Sequence, residues 1–217
     1  MNFHCILLLL SITCAEALPS LRHSHQEQLK GNAPLENRSN GITGAWPSKQ
    51  HQYSKHRALR RIHGAINIVG WGVLFPIGAI IARYFRESSS DWYNLHIMSQ
   101  LSGFILGALG WGVGIAIKNE HHHMSSHGVL GTLIFALATL QLLGMCLQPD
   151  DKHERRGYWV VCHNVLGYAL IVLIIVNIFQ GIGNQKTPKT WDLVYGAVLG
   201  VLGVIALALE ILRWIYV

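Results

Sequence analysis

Charge is what this chain has least of. Asp, Glu, Lys and Arg together make up 13% of its 217 residues, whereas an ordinary soluble domain carries roughly 25%. Hydrophobic residues make up 51% and the mean hydropathy is +0.31. A soluble globule with a conventional charged surface is excluded, and a polytopic membrane protein remains. Carboxylates are scarcer still, for none falls inside the apolar runs between His63 and Ile182. No basic stretch with interleaved aromatics occurs, so nucleic acid is not an expected partner despite the formal net charge of +6. Scattered loop cations of this kind face lipid headgroups. The four cysteines form neither a CxxC nor a zinc spacing. Cys146 and Cys162, near the end of one apolar run and the start of the next, read as small packing residues.

The N-terminus opens MNFHCILLLLSITCAEALPS. Its apolar run from Cys5 to Cys14 is too short to span a bilayer and has the length of a secretory h-region. Ala15-Glu16-Ala17 supplies the small-x-small cleavage pattern, so residues 1–17 are expected to be a signal peptide. Residues 18–56, polar and without periodicity, read as a short disordered tail outside the membrane. Residues 57–217 form the membrane domain.

Five apolar runs follow, at about 62–83, 92–117, 127–147, 158–182 and 191–215. Each meets the requirement of about 20 residues for a transmembrane helix. Trp92, Tyr93, Tyr158, Trp159, Trp191 and Trp214 stand at run ends, where interfacial aromatics belong. Pro76 is expected to kink the first helix. The predicted fold is therefore an all-α bundle of five transmembrane helices, with antiparallel neighbours.

Each of the first four runs carries one histidine near its leading end: His63, His96, His127 and His163. An ionisable side chain within a membrane is costly and marks a function by default. Runs one and three point the same way, so His63 and His127 lie near one face of the membrane. Runs two and four point the other way, so His96 and His163 lie near the opposite face. Two imidazoles on facing helices can fill both axial positions of a haem iron, an arrangement suited to electron transfer.

The residues in register with these histidines fit that reading. Gly103, Gly107, Gly110 and Gly114 follow His96 on one helix face, where a flat macrocycle or another helix can approach closely. Gly131 lies four residues after His127, and Gly167 and Gly181 lie in register with His163. Gln141 and Asn177 stand fourteen residues beyond His127 and His163. That is about 21 Å along a helix, which places each amide as a hydrogen-bond partner for the opposite centre. Asn67, four residues after His63, serves its own. Helix packing alone also selects small residues in any membrane bundle.

The stretches HGAINIVGWGVLFPIGAIIARYF, WYNLHIMSQLSGFILGALGWGVGI, SHGVLGTLIFALATLQ and RRGYWVVCHNVLGYALIVLIIVNIFQG resemble the cytochrome b-561 family of di-haem transmembrane electron carriers. The likeness covers residues 56–216 and is nearest to the plant branch in which such a core follows an extracellular DOMON domain. It implies two b-type haems per chain, held by His63 with His127 and by His96 with His163, the first four helices enclosing them. It also implies one-electron transfer from cytosolic ascorbate or a similar donor to monodehydroascorbate or a ferric chelate on the other side, an acceptor-reductase activity. A DOMON domain and the extra first helix of six-span members are expected to be missing.

With a cleaved signal the tail is non-cytoplasmic, so His63 and His127 would hold the outer haem and His96 and His163 the cytosolic one. Span-flanking cations do not set the orientation: Lys55, Arg57, Arg60, Arg61, Lys118, Lys186 and Lys189 on the outer side face Arg83, Arg86, Lys152, Arg155, Arg156 and Arg213 within. Arg83, Arg86, Lys152, Arg155 and Arg156 are the candidates for an anionic donor, and headgroup anchoring is their alternative role. His121-His122-His123 reads as a solvated loop. The expected location is the secretory pathway, at the plasma membrane or a vacuolar or other endomembrane. Gly196 and Gly200 on the fifth run, together with the resemblance, suggest a homodimer. Two other readings compete: a metal-ion transporter using the membrane histidines, and a non-catalytic scaffold for a separate DOMON protein.

Overall fold

The computed structural model describes residues 46–117, 125–184 and 190–216, with side chains from residue 54 onward. The signal-like segment, residues 18–45 of the tail and the His121–His123 loop lie outside the described residues. The chain divides into two compact units, Met1–Ser54 and Lys55–Val217. Of the first, helical backbone from Trp46 and the side chain of Ser54 are described; apart from Ser54, the membrane spans belong to the second.

All regular structure among the described residues is helical. Helix α1 (Trp46–Asn67) runs into a π-helical turn (Ile68–Leu74) and on into α2 (Phe75–Tyr84). Then come α3 (Trp92–Ile117), α4 (Ser126–Gly144) with a closing 3-10 turn (Met145–Leu147), α5 (Arg156–Gly183) and α6 (Thr190–Tyr216). Five helical stretches are long and apolar enough to cross a membrane: Ser54–Tyr84, Trp92–Ile117, Ser126–Leu147, Arg156–Gly183 and Thr190–Tyr216. The five runs of the sequence thus become five helices. Helix α1 begins earlier than expected, since residues 46–56, read as tail, are helical. Pro47 falls in its first turn, where a missing N–H costs nothing, and a polar helix shows no apolar period by which to recognise it.

The disturbance expected at Pro76 takes the form of the π-helical turn just before it. Proline removes the N–H that would bond back to Gly72 and its ring crowds that carbonyl. Wider winding over Ile68–Leu74 accommodates both effects and turns Gly70, Trp71 and Gly72 into the bundle, where all three are buried. Ser99 Oγ and Gln100 Nε2 donate to the carbonyls of Leu74 (2.8 Å) and Phe75 (3.1 Å) at the junction with α2.

In lipid the driving force between helices is close packing rather than escape from water, and the glycines of α3 supply it. A Cβ on Gly103 would stand 2.9 Å from the Gly70 carbonyl oxygen, and one on Gly107 would enter the indole of Trp71. Trp71 also meets Phe75 (centroids 4.7 Å apart) and Phe104 (6.3 Å). Phe104 stacks on Phe135, and Phe135 on Trp111. Trp71, Phe75 and Phe104 of this cluster are buried together with Ile134, Ala138, Leu170, Ile174 and Ile178, while Phe135 and Trp111 are half-buried. Helix α6 packs on α2 and α5, with Tyr195, 1% exposed, set into the notch at Gly72. Its remaining apolar faces are left for lipid.

Candidate functional site: two paired imidazoles

The antiparallel helices bring the four histidines together as two pairs. The rings of His63 (α1) and His127 (α4) have centroids 5.9 Å apart at an interplanar angle of 88°. Those of His96 (α3) and His163 (α5) are 6.4 Å apart at 77°. The pairs sit at different depths. His96 Nδ1 contacts the carbonyl of Gly78, fifteen residues along the span from His63 (78 − 63), which is about 20 Å of helical rise.

Backbone carbonyls hold three of the four rings. Nδ1 of His63 lies 2.7 Å from the Gly110 oxygen, Nδ1 of His96 2.8 Å from that of Gly78, and Nδ1 of His127 3.0 Å from that of Asn177. A carbonyl only accepts, so each Nδ1 carries the proton and donates it, and each Nε2 is left with a free lone pair. That is the tautomer a metal ligand needs, with the outer restraint that ligand histidines characteristically have. Asn67 Nδ2 is 3.2 Å from His63 Nδ1 and 2.7 Å from the His63 carbonyl oxygen. Since that Nδ1 already donates, the amide bonds to the carbonyl.

Glycines make room for these rings. A Cβ on Gly114 would come within 2.7 Å of His63 Cε1, and one on Gly181 within 2.8 Å of His127 Cε1. Gly110 receives Asn67 in the same way. Gln141 does reach the level of the opposite pair, its Nε2 donating to the His163 carbonyl oxygen at 2.8 Å. Asn177 reaches His127, but through its backbone oxygen; its side-chain Oδ1 is buried with no hydrogen-bond partner. Gly131 and Gly167 face these two amides: a Cβ on Gly131 would stand 3.2 Å from Asn177 Nδ2, and one on Gly167 3.4 Å from Gln141 Nε2.

The donor sets discriminate between cofactors. Among the described residues no three His, Cys, Asp or Glu side chains gather around a metal position, and two imidazoles alone are a poor cage for a bare ion. They suit a metal whose other four positions are already filled by a macrocycle. Metal–imidazole bonds of about 2.0 Å, with each ring centre roughly 1 Å behind its nitrogen, put the centroids of two axial rings about 6 Å apart. Both pairs match that span, so the residues fit a haem.

The five candidate substrate cations have different surroundings. Arg83 donates twice to Glu210 of α6 (Nε 3.2 Å, Nη2 3.1 Å). Arg156 pairs with Asp151 (3.0 Å), donates to the Pro149 carbonyl oxygen (2.9 Å) and lies over Trp159. Arg86 stacks on Trp92, while Lys152 and Arg155 are exposed. Sequence reasoning missed the carbonyls of Gly78, Gly110 and Asn177, because backbone acceptors leave no residue-type signal. It also missed Glu210, a carboxylate within the fifth span, and the stacking of Trp159 on His163.

Fold and site together define an integral membrane helix bundle with paired imidazoles, the class of membrane haem cytochromes. Residues 62–189 match the family model of eukaryotic cytochrome b561, and the chain belongs to that family. Three cytochrome b561 and DOMON domain-containing proteins of Arabidopsis thaliana are similar to it, at 38%, 40% and 39% identity over 71%, 73% and 86% of this chain. The matched regions cover 40%, 40% and 52% of those proteins, so the chain spans about half or less of their length. No solved structure gives a significant match.

Proposed function

We propose that this chain carries single electrons across a membrane by way of two b-type haems, one held by His63 and His127 and the other by His96 and His163. The observation that carries the reading is the spacing of the two pairs, with Nδ1 tied to a backbone carbonyl in three of the four rings. When bound, the haems supply reversible one-electron couples with no open coordination position.

The chain's own residues do the rest. His63, His96 and His127 offer Nε2 because the carbonyls of Gly110, Gly78 and Asn177 hold their Nδ1–H, and Gly114 and Gly181 leave space for the rings of His63 and His127. The side-chain amides of Asn67 and Gln141 support the backbone at His63 and His163, whereas Asn177 acts through its main-chain oxygen. The aromatic cluster around Trp71 and Phe104 fills the level between the pairs and keeps water out of it. In our reading the donor is ascorbate or a similar small reductant at the cytosolic face beside His96 and His163. It gives up one electron to the chain and releases one proton to the water of the cytosolic face. A ferric chelate or monodehydroascorbate takes the electron on the other face. Arg86, Lys152 and Arg155 are the cations best placed to receive the donor, since Arg83 and Arg156 already have partners. The N-terminus is non-cytoplasmic, and the membrane belongs to the secretory pathway.

A reduced-minus-oxidised absorbance spectrum of the purified protein tests this. Two b-type haems are expected, with His63→Ala and His96→Ala each losing one. In vesicles loaded with ascorbate, the protein should reduce external ferricyanide, and His63→Ala should abolish that. A folded but colourless protein would falsify the proposal. It would leave the scaffold reading, which tolerates loss of all four histidines.

A further inference from the structure

His163 breaks the pattern its three counterparts share. Among the described residues no backbone carbonyl receives its Nδ1. Instead its ring lies flat on Trp159, with centroids 5.0 Å apart and planes within 9°. The indole is pinned in turn: Nε1 donates to the Gly144 carbonyl oxygen at 3.1 Å, tying it to the end of α4. The Arg156 guanidinium sits 5.4 Å from its centroid. Arg156 is itself anchored by the Pro149 carbonyl and Asp151. Arg156, Trp159 and His163 stand at i−3, i and i+4, so they follow one another along one face of α5. An interfacial tryptophan serving only lipid would have no need of this framing.

We propose that Trp159 is the positioning residue of the His96–His163 centre, its stacked indole restraining the His163 ring where a carbonyl restrains the other three. The inference rests on haem being held by these pairs. Two consequences follow. The His163 imidazole lacks the Nδ1–H acceptor that raises a ligand's basicity, so the two centres are inequivalent. Arg156, once a candidate for the donor, belongs to the frame of Trp159.

The test uses the full-length, haem-loaded protein, with low-spin ferric electron paramagnetic resonance signals assigned to each centre through His63→Ala and His96→Ala. Trp159→Leu and Trp159→Met, which lose the ring, should shift or broaden the His96–His163 signal and move its midpoint potential, leaving the His63–His127 centre as in the wild type. Trp159→Phe keeps an aromatic face and should restore the wild-type signal. An unchanged His96–His163 signal in the Leu and Met variants overturns the inference, although haem binding stands. Equal loss at both centres also overturns it, since Trp159 would then serve the bundle as a whole. A wild-type protein without haem defeats the function proposal as well.

Discussion

At the scale of single residues, function turns on where atoms are missing. The imidazoles of His63 and His127 stand where α3 and α5 present glycine, and a single methyl decides whether they fit. Gly114→Ala would force the His63 ring to move, and Gly181→Ala the His127 ring. Each is expected to weaken haem retention at the His63–His127 centre alone, read as loss of up to half the difference absorbance. Gly200→Ala faces open space and should leave the spectrum unchanged. The amides act more mildly. Gln141→Leu removes one bond to the His163 carbonyl and should cost about 1 kcal/mol in a chemical unfolding measurement.

At the scale of elements, the first span is organised by its π-helical turn. Wider winding ahead of Pro76 brings Trp71 onto Gly107 of α3 while Gly78, further along, offers its carbonyl to His96. Trp71→Ala would empty a site that is 6% exposed and should destabilise the bundle by about 3 kcal/mol or more. Gly107→Ala overfills the same site and should cost about 1–3 kcal/mol. The smaller ring in the double variant Trp71→Phe/Gly107→Ala should recover most of the loss, and a thermal melt in detergent of all three variants checks the pairing. The sequence marks Pro76 as a break, but it does not say whether the helix bends or rewinds. In the structure the helix rewinds over Ile68–Leu74, and Ser99 and Gln100 reach the carbonyls of Leu74 and Phe75 at the end of that turn.

At the scale of the whole molecule, α6, the fifth span, stands apart from the four spans that carry the histidines. Tyr195 in the Gly72 notch and the Arg83–Glu210 ion pair connect it to the first span. The pair is partly exposed, with side chains 42% and 29% accessible, so its contribution is small and salt-sensitive. Glu210 also accepts from Trp214 Nε1 at 3.3 Å, which keeps the carboxylate at the helix end. The charge swap Arg83→Glu/Glu210→Arg should therefore melt closer to the wild type than either single change does, with the difference fading in high salt. Haem content should stay at the wild-type level in all three variants.

Charge scarcity, five apolar runs and the position of one histidine in each of four runs already determine that this is a membrane bundle and which histidines share a depth. Helical rise even brings Gln141 and Asn177 to the right level, because distance along a helix is fixed by residue count. Only the tertiary structure decides what each ring meets. The acceptors for Nδ1 are main-chain oxygens of Gly78, Gly110 and Asn177, and every residue has such an oxygen. Which one faces an imidazole depends on how the helices are rotated and where the π-helical turn shifts their phase. The division of the cations is settled in the same way, since Glu210 lies 127 residues from Arg83 and only the packing of α6 on α2 brings them together.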